Sequence, residues 1–182
     1  KYIRHLEKLI ELAQKEVEQT RAEHPTKHKM AQYYLKDFQE KLTYFRDRVG
    51  CRLLEGFKRF QDNGSLEIVT CNATHGFLPL MSRYPQAVKA QISQGVKTYE
   101  KYLGRKPSGI WLAECGYVKG IEKPLADEGL SYFFVDSHGL WYAENPPRYG
   151  VYRPVLTESG VFVFGRDPES SEQVWSGEIG YP

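Results

Sequence analysis

Along the first 64 residues the apolar positions recur at helical spacing. Beyond residue 65 they gather into short runs separated by turn signals and one long amphipathic stretch. In "KYIRHLEKLIELAQKEVEQTRAEH" the stripe Ile3, Leu6, Leu9, Ile10 and Leu12 predicts a helix from Lys1 to about Glu23, ended near "HPTKH". "MAQYYLKDFQEKLTYFRDR", Met30 to about Arg48, predicts a second. "CRLLEGFKRFQDNG" predicts a third, stopped by Asp62, Asn63 and Gly64.

The second part reads differently. "LEIVT" (Leu66–Thr70) is a short β-rich run. Tyr84–Leu103 is an amphipathic helix, with Val88, Ile92, Val96 and Tyr99 on one side. "GIWLA" (Gly109–Ala113) is the next strand, "GIEKPLADEGL" (Gly120–Leu130) a short helix closed by Gly129, and "SYFFVD" (Ser131–Asp136) a third strand. Strand and helix in alternation predict βαβ units and a parallel sheet. Near-continuous apolar strands further suggest a sheet buried on both faces. The expected organisation is therefore α/β, with a helical segment at 1–64 and β/α units at 65–182. A helix with no capping signal at the start, and "GEIGYP" at the finish, suggest cuts through a longer protein.

Each expected strand runs into reactive residue types. "LEIVT" is followed by "CNATHG", with Asn72, Thr74 and His75. "GIWLA" is followed by "ECGY", with Glu114 and Tyr117. "SYFFV" is followed by "DSHG", with Asp136, Ser137 and His138. The C-terminal ends of parallel strands are where α/β folds build their sites. Glu114 is the sharpest of these residues. It is a carboxylate at the end of an apolar strand, suited to act as nucleophile, general base or metal ligand. The plainer reading, a carboxylate capping the next helix or pairing with a base, loses weight because the pattern repeats three times.

Composition narrows the choices. Lys plus Arg is 25 and Asp plus Glu is 23, so the formal charge of +2 argues against nucleic acid as a main partner. No run of about 18 apolar residues argues for a membrane span. Cys51, Cys71 and Cys115 form neither a metal pattern nor a disulfide framework, which points to the cytoplasm. Aromatic residues make up 14% of the chain, which suits carbohydrate contact and aromatic cores alike. Trp111, inside its strand, is expected in the core, whereas Trp141 is a candidate platform for a sugar ring. His75, Glu114, Asp136 and His138 would supply zinc ligands, but no HxxxH or HxH motif supports that set. A Ser137–His75 triad lacks a GxSxG elbow.

"CNATHGFLPL", "GIWLAECGYVKGIEKPLADEGLSYFFVDSHGL", "PPRYGVYRP" and "GRDPESSEQVWSGEIGYP" are longer and more specific than any of these fragments. From Leu66 onward they resemble the catalytic domain of family 57 glycoside hydrolases, and within it the 1,4-α-glucan branching enzymes. The resemblance implies a distorted (β/α)7-type barrel, of which this chain carries a part, with residues 1–64 as a helical insertion. It implies Glu114 as the nucleophile of a retaining mechanism, acting without metal or organic cofactor. It implies that His75 lies in the substrate cleft, where Tyr117, Asp136, His138 and Trp141 are further candidates for binding. The implied substrate is an α-1,4-glucan, and the implied product carries α-1,6 branches. The remainder of the catalytic domain is expected in cis or as a separate chain. The family's HxP-type first segment has no match here, and its acid/base aspartate is expected beyond Pro182. Another family 57 activity, an α-amylase or a 4-α-glucanotransferase, shares the same motif chemistry. A truncated, inactive glucan-binding homologue is the non-enzymatic alternative.

Overall fold

The computed structural model describes residues 1–22 and 24–180, so the helix end expected at Glu23 lies outside the described residues. The chain forms two compact units, Lys1–Leu66 and Glu67–Pro182.

The first unit is helical. α1 spans Tyr2–Thr20 and buries Leu6, Ala13 and Thr20, a seven-residue repeat along one side. Of the expected stripe, Leu6 is buried, Ile3, Leu9 and Ile10 are half-buried, and Leu12 is exposed. α2 spans Pro25–Thr43 and begins five residues earlier than its periodicity suggested. Pro25 sits at the first helical position, where its fixed φ suits the helix and its missing N–H costs no bond. "HPTKH" thus opens a helix rather than merely ending one. His28 Nδ1 lies 3.0 Å from the Val17 carbonyl, which ties the start of α2 to α1. After α2 the chain widens into a π-turn at Tyr44–Arg48, and α3 spans Leu53–Asp62.

The second unit is a five-stranded sheet with helices. Its elements in chain order are β1 (Thr70–Cys71), α4 (Leu78–Met81), α5 (Pro85–Leu103), β2 (Gly109–Trp111), α6 (Glu122–Asp127), β3 (Tyr132–Val135), α7 (Ser137–Trp141), β4 (Val155–Leu156), β5 (Phe162–Gly165) and α8 (Pro168–Trp175). The spatial order is β1-β2-β3-β5-β4. β1, β2, β3 and β5 run parallel, and β4 pairs antiparallel with β5. Of the expected first strand, Leu66–Thr70, only Thr70 pairs with a neighbour, and the pairing runs on to Cys71 beyond it.

Strand periodicity decides what each face carries. Ile110, Phe133, Val135 and Val163 join Leu112, Leu78, Val88, Ile92, Val96, Leu125 and Leu140 in one apolar core. The intervening residues point the other way. Trp111 lies against Phe134 at 5.7 Å between ring centroids, and Phe134 against Phe164 at 5.9 Å. Phe162 and Phe164 are exposed. The expectation of a sheet buried on both faces is corrected for the described residues, because the aromatic face is only partly covered. Trp111 is corrected with it. Ile110 and Leu112 occupy the core side, so the indole between them must take the opposite face.

Candidate active site

The loop after β1 is built by hydrogen bonds to α5. Gln91 of α5 accepts from Ala73 N through its carbonyl (3.0 Å) and from Thr74 N through Oε1 (3.0 Å). Its Nε2 donates to Thr74 Oγ1 at 2.8 Å. Asn72 is buried, and its side-chain amide donates to the Gly76 carbonyl, closing the turn. His75 N donates to Asn72 O, and the His75 backbone takes the left-handed conformation at φ 54°. Non-glycine residues rarely adopt it, at a cost of about 1–3 kcal/mol.

Glu114 sits on a similar device. Leu112 and Ala113 are buried, which fixes where β2 must end. A single 3-10 turn, Ala113–Cys115, follows, with Cys115 N donating to Leu112 O and Gly116 N to Ala113 O. Glu114 and Cys115 both have positive φ, 55° and 53°. With Ala113 and Cys115 turned inward, the Glu114 side chain is thrown outward and is 77% exposed. Gly116 is needed beside it, because a Cβ there would lie 2.3 Å from the Phe77 ring. Glu114 Oε1 is 3.2 Å from His75 Nε2, so the ends of β1 and β2 converge on one hydrogen bond. His75 Nδ1 lies 3.3 Å from Cys71 Sγ.

Asp136 follows β3 and caps α7. Its Oδ1 accepts from Ser137 N at 2.7 Å and from Ser137 Oγ at 3.3 Å. His138 Nδ1 and Arg166 Nη1 each stand 3.7 Å from this carboxylate. Glu114 and Asp136 line one open cleft of about 710 Å³, together with Trp111, Cys115 and Arg166. Ser171, Glu172 and Trp175 of α8 line it too. Burial pushes the Cys115 thiol up, and its hydrogen bond from Arg166 offsets part of that rise.

The remaining candidates take other places. Tyr117 stacks on Phe133 at 5.7 Å and donates to Glu122 Oε2 at 3.2 Å. Burial, then the nearby Glu122 charge, pushes its phenol up to about 12. Trp141 faces the turn at Gly150, whose Cβ position lies 3.4 Å from the indole nitrogen. Ser137 Oγ bonds Asp136. Among the described residues no group of three or more His, Cys, Asp and Glu is arranged to hold a metal ion.

Arg166, Glu172 and Trp175 did not emerge from the sequence reading. "VFVFGRD" carries the signal for Arg166, since it repeats the pattern of an apolar run followed by charge. Trp175 has no comparable signal, because α8 brings it to the cleft from ten residues beyond β5.

Comparison with known proteins identifies the relatives of this chain. The family model described as Glycosyl hydrolase family 57 matches residues 1–182. A 1,4-alpha-glucan branching enzyme of Thermococcus kodakarensis is 39% identical, over 85% of this chain and 26% of that protein. The crystal structure of the alpha-amylase AmyC from Thermotoga maritima is 62% identical, with a TM-score of 0.88 over 100% of this chain and 35% of that one. The branching enzyme of Pyrococcus horikoshii is 34% identical, with a TM-score of 0.86 over 100% of this chain and 35% of that one. The chain thus spans 26% to 35% of the length of these relatives. Its α/β fold is a portion of the distorted (β/α)7-type barrel of such enzymes. Matched along its whole length by one family model, and superposable throughout on a solved GH57-type branching enzyme, the chain belongs to glycosyl hydrolase family 57.

Proposed function

We propose that Glu114 is the nucleophile of a retaining reaction on α-1,4-glucan, and that the full-length protein is a 1,4-alpha-glucan branching enzyme. The observation that carries the first part is Glu114 itself. Its backbone is held in a strained conformation, and its carboxylate is bonded to His75 and presented to an open cleft. Strain kept at one exposed carboxylate is the mark of a residue aimed for use.

The chemistry is a double displacement. A Glu114 oxygen attacks the anomeric carbon, and the bond to the glycosidic oxygen breaks. An acid protonates that leaving oxygen, and a covalent glycosyl-enzyme forms. The acceptor hydroxyl then gives its proton to the same group, now acting as base, and its oxygen displaces Glu114. With a glucan 6-hydroxyl as acceptor, an α-1,6 branch results. Exclusion of water favours this transfer over hydrolysis. Trp111 and Trp175 offer the cleft indole surfaces suited to the apolar faces of glucose rings. Asp136 is engaged by Ser137 and Arg166, so its part is to order the cleft floor rather than to act as the acid. The acid is assigned to the aspartate expected beyond Pro182, supplied in cis or by another chain. His75 and Asp136 border the glucan beside Glu114, and His138, next to Asp136, adjoins them. Free Cys51, Cys71 and Cys115 fit a reducing cytoplasm.

A second reading has its own support. The solved relative with 62% identity is described as an alpha-amylase. Transfer and hydrolysis use the same nucleophile and differ only in the acceptor. Incubation of the full-length protein with amylose separates them. Branching lowers iodine staining, creates chains released by a debranching enzyme, and adds few reducing ends. Hydrolysis raises reducing ends in step with the loss of staining. Glu114→Gln is expected to fold and to lose activity by several orders of magnitude. Activity above about a hundredth of wild type would remove Glu114 from the role.

A further inference from the structure

Cys71, His75 and Glu114 form one row. Cys71 Sγ is 3.3 Å from His75 Nδ1, and His75 Nε2 is 3.2 Å from Glu114 Oε1. A carboxylate oxygen only accepts, so Nε2 must carry a proton to bond it. In neutral imidazole that leaves Nδ1 as an acceptor in need of a donor. The thiol supplies one. The same proton can be given to Asn72 Oδ1, to which the thiol donates at 3.5 Å, so Asn72 competes with His75 Nδ1 at 3.3 Å for it. Burial pushes the Cys71 thiol up, which keeps its proton on sulfur.

The mount is rigid. Cys71 is the last residue of β1 and pairs with Trp111. Its carbonyl lies so near α5 that a Cβ on Gly95 would fall 2.2 Å away. Thr70 Oγ1 donates to the Gly95 carbonyl at 3.2 Å, locking strand to helix. The thiol therefore stands in a fixed place relative to the His75 turn.

We propose that Cys71 is a positioning residue whose thiol, by donating to His75 Nδ1, keeps the His75 proton on Nε2, where it holds one Glu114 oxygen and leaves the other free to attack. The proposal rests on Glu114 being the nucleophile. Without the thiol, the ring can shift its proton to Nδ1. Nε2 would then face Oε1 acceptor to acceptor, and the carboxylate would lose its fixed orientation.

The test uses full-length protein labelled with 15N-histidine, together with steady-state kinetics on amylose. Wild-type His75 is expected as the Nε2–H tautomer. Cys71→Ala should admit the Nδ1–H form and lower kcat by about 3–10-fold, the worth of one hydrogen bond. KM should stay within about twofold, because the lost contact orients the nucleophile rather than binding glucan. Cys71→Ser retains a donor and should recover the Nε2–H tautomer and part of the lost kcat. A merely structural cysteine would alter melting temperature and leave the tautomer alone. Wild-type His75 protonated on Nδ1, or Cys71→Ala with unchanged tautomer and kcat, would overturn the proposal. The tautomer is read without turnover, so an active Glu114→Gln would reject the nucleophile while the ring signal still decides the row.

Discussion

The site is organised by residues held where their type is uncomfortable. His75, Glu114 and Cys115 have φ between 53° and 55°, and Glu114 and His75 bond each other. Buried neighbours on both sides of Glu114 keep it there, since relaxing its backbone would drag Ala113 and Cys115 out of the interior. Tyr117, three residues on, shows how the same turn perturbs chemistry away from the cleft. Its phenol is raised to about 12 by burial and by Glu122. An unfolded tyrosine ionises near pH 10. The folded state therefore holds its proton longer, and this group's contribution to stability is full below about pH 10 and is lost as pH rises toward 12. Difference spectra at the phenolate absorption band, wild type against Tyr117→Phe, should show one tyrosine titrating near the upper end of that window. A difference signal centred near pH 10 would contradict the partly desolvated, Glu122-facing placement of the hydroxyl.

Among the elements, α5 does the most to shape the site. It anchors the His75 loop through Gln91 and packs on β1 at Gly95. Alanine is ordinarily the better helix former by about 1 kcal/mol. At Gly95 the added methyl would meet the backbone carbonyl of Cys71 at 2.2 Å, and backbone cannot rotate away. Gly95→Ala should therefore lower stability by about 1–3 kcal/mol and reduce activity by shifting Cys71. Gly56→Ala in α3 is the control. Nothing lies within 4 Å of its Cβ position, so it should be neutral or slightly stabilising. Thermal unfolding of both variants compares space with propensity directly. Equal melting temperatures would mean that α5 yields without strain.

For the whole molecule, the described residues leave apolar surface uncovered. One sheet face carries exposed Phe162 and Phe164. In the helical unit, Leu12, Met30 and Tyr34 are exposed along a groove between α1 and α2. Outer edges of β1 and β4 are also without a strand partner among the described residues. The 182 residues expressed alone should therefore self-associate, which light scattering will detect. They should also fail to convert amylose, since an acid for the leaving oxygen is typically worth about 10²–10⁴-fold. A monodisperse, active preparation would place that acid within the chain, with Glu172 and Asp136 as the carboxylates in the cleft besides Glu114.

The sequence by itself determined the alternation of strand and helix, the long amphipathic α5, and the polar residues Glu114, His75 and Asp136 at successive strand ends. These follow from periodicity and turn chemistry, which act within a few neighbouring residues. Element edges shifted where a local device intervened, as with Pro25 opening α2 and the left-handed Glu114 ending β2. Only the tertiary structure decided the rest. β5 inserts beside β3 and leaves β4 at the edge, which brings Arg166 to Asp136. Trp111 leaves the core face, α8 delivers Trp175, and Cys71 meets His75. Each of these depends on which side of a strand faces the helices and on which distant segments pack together. Such contacts are set by burial of the whole apolar face, and no short window of residues contains them.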